Sequence, residues 1–347
     1  VNPKLLLFLT IVLSAVLLMR AITLDSWTVD EPLHLRSAVE WVTQFKSPTD
    51  PFNPPLAKML PAAFNYLGIN PRVATIFLTL LLLIAVFTWT KKTYDEKTAL
   101  VAVFLLAFEA NILAHGHLVT TDLAATLIYF LVITSYLSNN FWRFWIFLGM
   151  AAGVKITLLP MILIFCLIYR KPVLKIKYVA VFLIILWLGN FGQFPETFKH
   201  AASFVFNPKF DETRRLFYFG QISGHGWFSY PLVSFLIKTS PPLLIFLIFA
   251  PKRNYLFLAA ICVFFIVTLG RYSTGVRHLL PMYPFLAIMA GRVKLNFLVA
   301  MLLIFHLATA IYVDNPISYF NIGDKIGSQI IADSNFDWGQ NQSRVIK

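Results

Sequence analysis

Charge is scarce in this chain. Only 13% of its 347 residues are Asp, Glu, Lys or Arg, about half the share of an ordinary soluble protein. Hydrophobic residues make up 58%, aromatic residues 16%, and the mean hydropathy is +0.72. That leaves too little polar surface to cover a water-soluble fold, which excludes a cytosolic enzyme, a nucleic-acid binder and a disordered tail. Acid is scarcer than base, 16 residues against 29. With soluble folds excluded, the excess of base reads as the bias of short cytoplasmic loops, not as a nucleic-acid surface. Cysteine is nearly absent. Cys166 and Cys262 each lie in an apolar run, so no disulfide, zinc site or iron–sulfur cluster is expected. The first apolar run, Leu5 to Leu24, lacks a small-residue cleavage site and reads as an uncleaved helix. There is no internal repeat, low-complexity tract or soluble domain of ordinary size. The remaining class is an all-α polytopic membrane protein.

Apolar runs of spanning character fall at 4–24, 72–90, 98–114, 119–137, 178–191, 231–250, 255–270, 278–291 and 295–313. A further apolar run, 142–169, carries Arg143 at its start and Lys155 inside it and is divided at Lys155 into two, which predicts eleven spans. With a cytoplasmic N-terminus, the short inside loops hold Lys4, Lys91, Lys92, Lys97, Arg143, Arg170, Lys171, Lys175, Lys177, Lys252, Arg253, Arg292 and Lys294. The opposite face receives the long segments 25–71, 192–230 and 314–347, with every acid except Asp95, Glu96 and Glu109. This predicts a membrane module over 1–313, a short outer tail over 314–347, and an outward-facing site.

The first outer loop opens with Asp30-Glu31-Pro32-Leu33-His34. Adjacent carboxylates above a membrane helix suit a general base. The same residues equally suit a helix start, with Asp30 as cap and Pro32 in the first turn. Leu33, Ala38, Trp41, Val42 and Phe45 then fit an amphipathic helix lying on the bilayer. Beyond it, Asn53-Pro54-Pro55-Leu56-Ala57-Lys58 is a rigid turn followed by a cation, either a snorkelling lysine or a ligand for anions. Asp122 stands at the mouth of a helix that Thr120 or Thr121 can cap, where a carboxylate is costly unless paired or functional. His115 and His117 are two apart and do not share a helix face, so no metal site is assigned, although a divalent ion among the outer carboxylates remains compatible with the sequence.

Further along, His225 sits between Gly224 and Gly226, and is followed by Trp227 and Tyr230. An interfacial aromatic belt accounts for the rings but not for the glycine-flanked histidine. Arg271, Arg277 and His278 put cations at outer helix ends, as lipid anchors or as phosphate ligands.

Taken together, these stretches resemble the GT-C superfamily of membrane glycosyltransferases, in particular bacterial family 39, protein O-mannosyltransferases and lipid A aminoarabinose transferases. The matching segments are Asp30–His34, Pro54–Lys58, Leu118–Asp122, His225–Trp227 leading to Lys238, Arg277–Pro281, Tyr319–Asn321 and Asp333–Gln340. The chain departs at Asn53, where the family often has His, and at His117, where Arg is common.

The resemblance implies a GT-C fold and inverting transfer of one sugar, such as mannose, from a polyprenyl-phosphate carrier. The acceptor is a lipid, glycan or protein at the outer face of the inner (plasma) membrane. It implies Asp30 as catalytic base, with Glu31 and Asp122 as further catalytic acids. Lys58, Lys238, Arg271, Arg277 and His278 are the candidates for the carrier phosphate. His34, His117, His225, Trp227, Asp333, Asp337 and Trp338 are those for the acceptor or sugar. The rival reading is a transporter or flippase of lipid-linked sugars. Such proteins place ionisable residues at the bilayer midplane, whereas these acids crowd one face.

Overall fold

A computed structural model describes residues 2–171, 175–206, 216–251, 254–270 and 275–342. Among them the chain is helical, apart from a small hairpin of two three-residue strands, β1 (Leu216–Tyr218) and β2 (Gln221–Ser223). Long apolar sequences leave the backbone to satisfy its own hydrogen bonds, which helices do within one segment. The helices α1 (Pro3–Leu24) and α4 (Arg72–Thr93) are each 22 residues of apolar sequence, long enough to cross a bilayer.

The next helices, α5 (Glu96–Ala107) and α6 (Ala110–His115), divide the expected 98–114 run at Phe108-Glu109. The 142–169 run divides where Lys155 predicted, into α8 (Phe141–Val154) and α9 (Leu158–Ile168). α10 (Ile176–Gly189) is followed by α11 (Phe194–Phe206). The expected single run 231–250 is instead two helices, α12 (Tyr230–Lys238) and α13 (Pro241–Phe249), bent by 107°. Pro241 and Pro242 supply no amide donors to close a turn with α12, and both suit the start of a new helix.

The run expected at 278–291 begins as a 3-10 helix, Val276–Met282, and continues as α15 (Tyr283–Ala290) after α14 (Asn254–Leu269). Two described helices are long and apolar enough to cross a membrane, or up to four spans if each bent pair counts as one. The other apolar helices are shorter, and Glu109, Lys155 and Pro241 mark places where runs that hydropathy alone joins are divided.

The core centres on α7 (Thr121–Leu137) and α15, apolar on every face and therefore enclosed on every face. The N-terminal end of α7 and the 3-10 helix that leads into α15 bring Asp122 and Arg277 together.

The first loop carries the expected amphipathic helix, α2 (Asp30–Gln44), with a division of faces that sequence alone did not give. Glu31, His34, Ser37 and Glu40 turn inward with Ala38 and Trp41, while Leu33, Val42 and Phe45 face outward. Its polar stripe rests on the turn leading to α3 (Leu56–Tyr66). The 314–342 segment is no loose tail. After α16 (Phe297–Tyr312) it forms two 3-10 turns and α17 (Asp324–Ile330), pairs Ile331 with Tyr218 of β1, and runs back across the start of α2.

Candidate active site

Four charged side chains of alternating sign form a line where α2, α7 and the 3-10 helix converge. Arg277 Nη1 donates to Asp30 Oδ2 at 3.1 Å and lies 3.9 Å from Asp122 Oδ2. On the far side Lys155 Nζ donates to Asp122 Oδ1 at 2.6 Å. The side chain of Asp30 is 29% exposed against 3% for Asp122, so Asp30 is the more accessible of the two carboxylates.

Local structure explains each placement. Asp30 and Asp122 occupy first turns, where the helix dipole favours a carboxylate. Thr120 caps α7, as its sequence predicts. Lys155 sits at the break after α8. Arg277 follows Gly275, whose φ of +147° favours glycine and whose added Cβ would meet Ser334 Oγ at 2.5 Å. The Arg277 guanidinium lies 4.0 Å over the ring of Trp338, a contact strengthened by desolvation. The Trp338 and His115 rings also meet in an edge-type contact, centroids 6.2 Å apart.

Glu31 has a different employment. It is fully buried and accepts from Arg72 Nε and Nη2 at 2.8 and 2.6 Å, from the Thr28 and Val119 amides at 2.8 and 2.9 Å, and from Thr28 Oγ1 at 3.1 Å. Burial alone would raise its carboxyl, but Arg72 and the two amides outweigh that and hold it below the usual carboxylate range. Arg72 also donates to the carbonyls of Asp25 and Ser26 and packs over Trp27. Glu31 is therefore a strut joining α2, α4 and the turn before α7, with no free oxygen for a proton-transfer role.

Two lysines expected on a phosphate are spent elsewhere. Lys58 is 2% exposed, and its three donors go to Ser37 Oγ, Asp50 Oδ2 and the Asn53 carbonyl, at 2.8, 2.7 and 3.0 Å. Burial pulls its ammonium below the usual lysine range, with Asp50 opposing. His34 Nδ1 meets the same Asp50 oxygen at 3.1 Å, and Asn53 Nδ2 donates to Asp50 as well. Lys238, 1% exposed, donates to the carbonyls of Ile317 and Asn335 at 2.6 Å each and lies 4.3 Å over the Phe320 ring. Neither lysine is free for a substrate, because a buried ammonium is held by its internal acceptors.

The remaining candidates separate by burial. His117 is fully buried between Asp25 Oδ2 at 3.0 Å and the Leu113 carbonyl at 3.2 Å, which makes it internal and not substrate-facing. His278 is half-buried beside Arg277 in the 3-10 helix. His225 and Asp337 are exposed, with Asp337 accepting from the Gly339 amide at 2.9 Å. Trp227 packs on Tyr218 at 5.2 Å. Asp333 opens the second 3-10 turn of the 314–342 segment, and Arg271 lies outside the described residues. Among the described residues no three His, Cys, Asp or Glu side chains group as metal ligands.

Sequence reasoning missed Arg72, Lys155 and Asp50 as members of these networks. Two signals were present. Arg72 opens a helix, where a cation opposes the dipole and calls for a nearby carboxylate. Lys155 is a solitary cation in an apolar run, where ionisable side chains pair with one another.

No protein-family model matches the sequence, and neither does any curated protein sequence. Solved structures do match. ArnT from Cupriavidus metallidurans bound to undecaprenyl phosphate superposes with a TM-score of 0.60 at 15% identity, over 83% of this chain and 60% of that one. The apo state of the same ArnT gives 0.57, also at 15% identity and over the same shares of the two chains. The archaeal oligosaccharyltransferase AglB from Archaeoglobus fulgidus gives 0.47 at 14% identity, over 97% of this chain and 56% of that one. The chain thus spans 60% of the length of the ArnT structure and shares its fold. It is a multi-pass helical membrane protein.

Proposed function

From the GT-C fold as premise, we propose that the chain transfers a single sugar from a polyprenyl-phosphate carrier to an acceptor hydroxyl at the outer face of the inner membrane. The observation that carries this reading is the Asp30–Arg277 pair, a part-exposed carboxylate and a cation 3.1 Å apart at one end of the core. A transfer of this kind needs both charges at adjacent places. Asp30 takes the proton of the acceptor hydroxyl as its oxygen bonds to the anomeric carbon. The bond from that carbon to the phosphate oxygen breaks on the opposite face, which inverts the centre. The carrier phosphate leaves with the bonding electrons, and Arg277, with His278 and Arg271, receives the charge.

Asp122 and Lys155 hold Arg277 in place. A phosphate arriving at Arg277 competes with Asp30 for it and releases the carboxylate for the acceptor. Lys58 and Lys238 are left out of the clamp because their donors are already used. His225, Trp227, Asp333 and Asp337 are assigned to the sugar or acceptor. A hexose such as mannose fits this reading, and a lipid, glycan or protein is the acceptor.

The reading is tested with purified protein, labelled polyprenyl-phosphate mannose and a detergent extract of host membranes. Label is expected to leave the carrier for an acceptor. Arg277→Ala is expected to lower transfer roughly tenfold or more, the worth of a charge-assisted contact. Arg292→Ala, beyond the far end of α15 where the guanidinium donates to the Pro251 carbonyl, is expected to leave transfer unchanged. Carrier that crosses vesicles with its label still attached would establish the flippase instead.

The same reading includes eleven spans, a cytoplasmic N-terminus and an outer 314–347 segment. A cysteine introduced at the exposed Lys325 is expected to react with an impermeant reagent in intact cells. Reaction only after permeabilisation would reverse the topology and the face of the site together.

A further inference from the structure

We infer that segment 334–340 is a positioning element of the site, in which Trp338 holds Arg277 at the angle from which it grips the carrier phosphate; this rests on the reading just proposed. The segment bonds to the backbone immediately before each partner of the Asp30–Arg277 pair. On one side its carbonyls pair with the stretch that enters α2, Val29 N to Trp338 O and Ser26 N to Gln340 O, each at 3.0 Å. Val29 immediately precedes Asp30, and no side chain caps α2 there, so this pairing fixes where the carboxylate starts.

On the other side Asn335 Oδ1 accepts from the Val276 amide at 2.9 Å, one residue before Arg277, while the Trp338 ring lies under the guanidinium. The segment is itself tied down. Lys238 donates to the Asn335 carbonyl, Asn335 Nδ2 donates to Tyr230 at 2.5 Å, and Ser318 Oγ donates to the Phe336 carbonyl at 2.5 Å.

Glycine stands where this bracket comes closest on each side. A Cβ at Gly275 would strike Ser334, and one at Gly339 (φ +100°) would lie 3.3 Å from the Trp27 carbonyl. Trp338 is only 7% exposed, with Arg277 over one face and the His115 ring in edge-type contact, so it offers no open face for stacking a sugar. Arg277 Nε is buried and has no hydrogen-bond partner among the described residues. The guanidinium is thus fixed by a ring face and by Asp30 and Asp122 at Nη1, and its remaining donors, Nε among them, can turn to an anionic oxygen. A buried donor left unpaired is costly, and a phosphate oxygen would remove that cost.

Binding of undecaprenyl phosphate to the purified full chain in detergent, by isothermal titration, tests the inference. Trp338→Leu is expected to weaken binding roughly tenfold, the scale of a desolvated cation–π contact. Trp338→Phe keeps a ring beneath the cation and is expected to bind much as the unsubstituted chain does. Combined with Arg277→Ala, Trp338→Leu is expected to add no further loss, because it acts through that arginine. A further loss in the double variant would overturn the inference and make Trp338 a direct ligand. Gly275→Ala pushes on Ser334 from the opposite side with the tryptophan intact, and is also expected to weaken binding. It decides the matter if Trp338→Leu does not fold. Normal affinity in both Trp338→Leu and Gly275→Ala would refute the inference alone. An unsubstituted chain that binds no undecaprenyl phosphate would refute the proposed function, and the inference with it.

Discussion

Asp30→Asn is expected to lower sugar transfer by roughly 100-fold or more, the loss typical of removing a general base, while leaving the protein folded. The substitution is nearly isosteric. An asparagine at the start of α2 still accepts from Arg277 through its amide oxygen, and no side-chain cap is lost, because Val29 and not Asp30 is the N-cap. What disappears is the ability to carry away the acceptor proton. Glu31 cannot substitute, since Arg72, Thr28 and Val119 occupy its oxygens. Asp122 is a poor replacement, held by Lys155 at 2.6 Å and 3% exposed. The check is single-turnover release of labelled sugar alongside a melting curve. Full transfer by Asp30→Asn would place the base elsewhere. Loss of folded protein would instead make Asp30 a helix-start residue, which the same sequence pattern supports.

The elements that sequence reveals are those set by local rules. The α7 cap at Thr120, the break at Lys155 and an amphipathic helix after Asp30 each depend on residues within a turn or two. Pro241 and Pro242 were equally local, but hydropathy averaged them into a run that the chain bends by 107°. The partners were legible only in part. Arg277 and Asp30 are 247 positions apart, and nothing in either neighbourhood names the other. Lys58 and Lys238 show what a local reading leaves out. A cation after a proline turn, or at the end of a helix, reads as available for an anion. Availability depends on whether its donors are already satisfied, and only the packing of Asp50, Ser37, Ile317 and Asn335 around them decides that. The GT-C resemblance ordered the motifs along the chain without separating residues that meet substrate from those that support them.

Arg72 and Glu31 give the largest expected effect on stability. Both side chains are buried, 3% and 0% exposed, and joined by two short bonds. Removing one partner of a buried ion pair leaves an uncompensated charge and costs about 3–5 kcal/mol. Arg72→Met is therefore expected to lower stability by that amount, because it strands the Glu31 carboxylate together with the Asp25 and Ser26 carbonyls. Glu31→Gln should cost less, since its amide oxygen still accepts from Arg72 or Val119. The pH dependence follows from the depressed Glu31 carboxyl. Its contribution is fully present above the unfolded-state carboxylate value and is lost as pH falls through the lower folded-state value, so the unsubstituted protein should lose this increment only in acid. Arg72→Met should lack that part of the acid dependence. Denaturant unfolding in detergent at neutral and acid pH measures both effects. Transfer activity measured on the same samples separates the two roles of Glu31. If Glu31→Gln stays as stable as the unsubstituted protein but loses transfer as Asp30→Asn does, Glu31 takes part in the chemistry; if stability and activity fall together, it is the strut that aims Asp30.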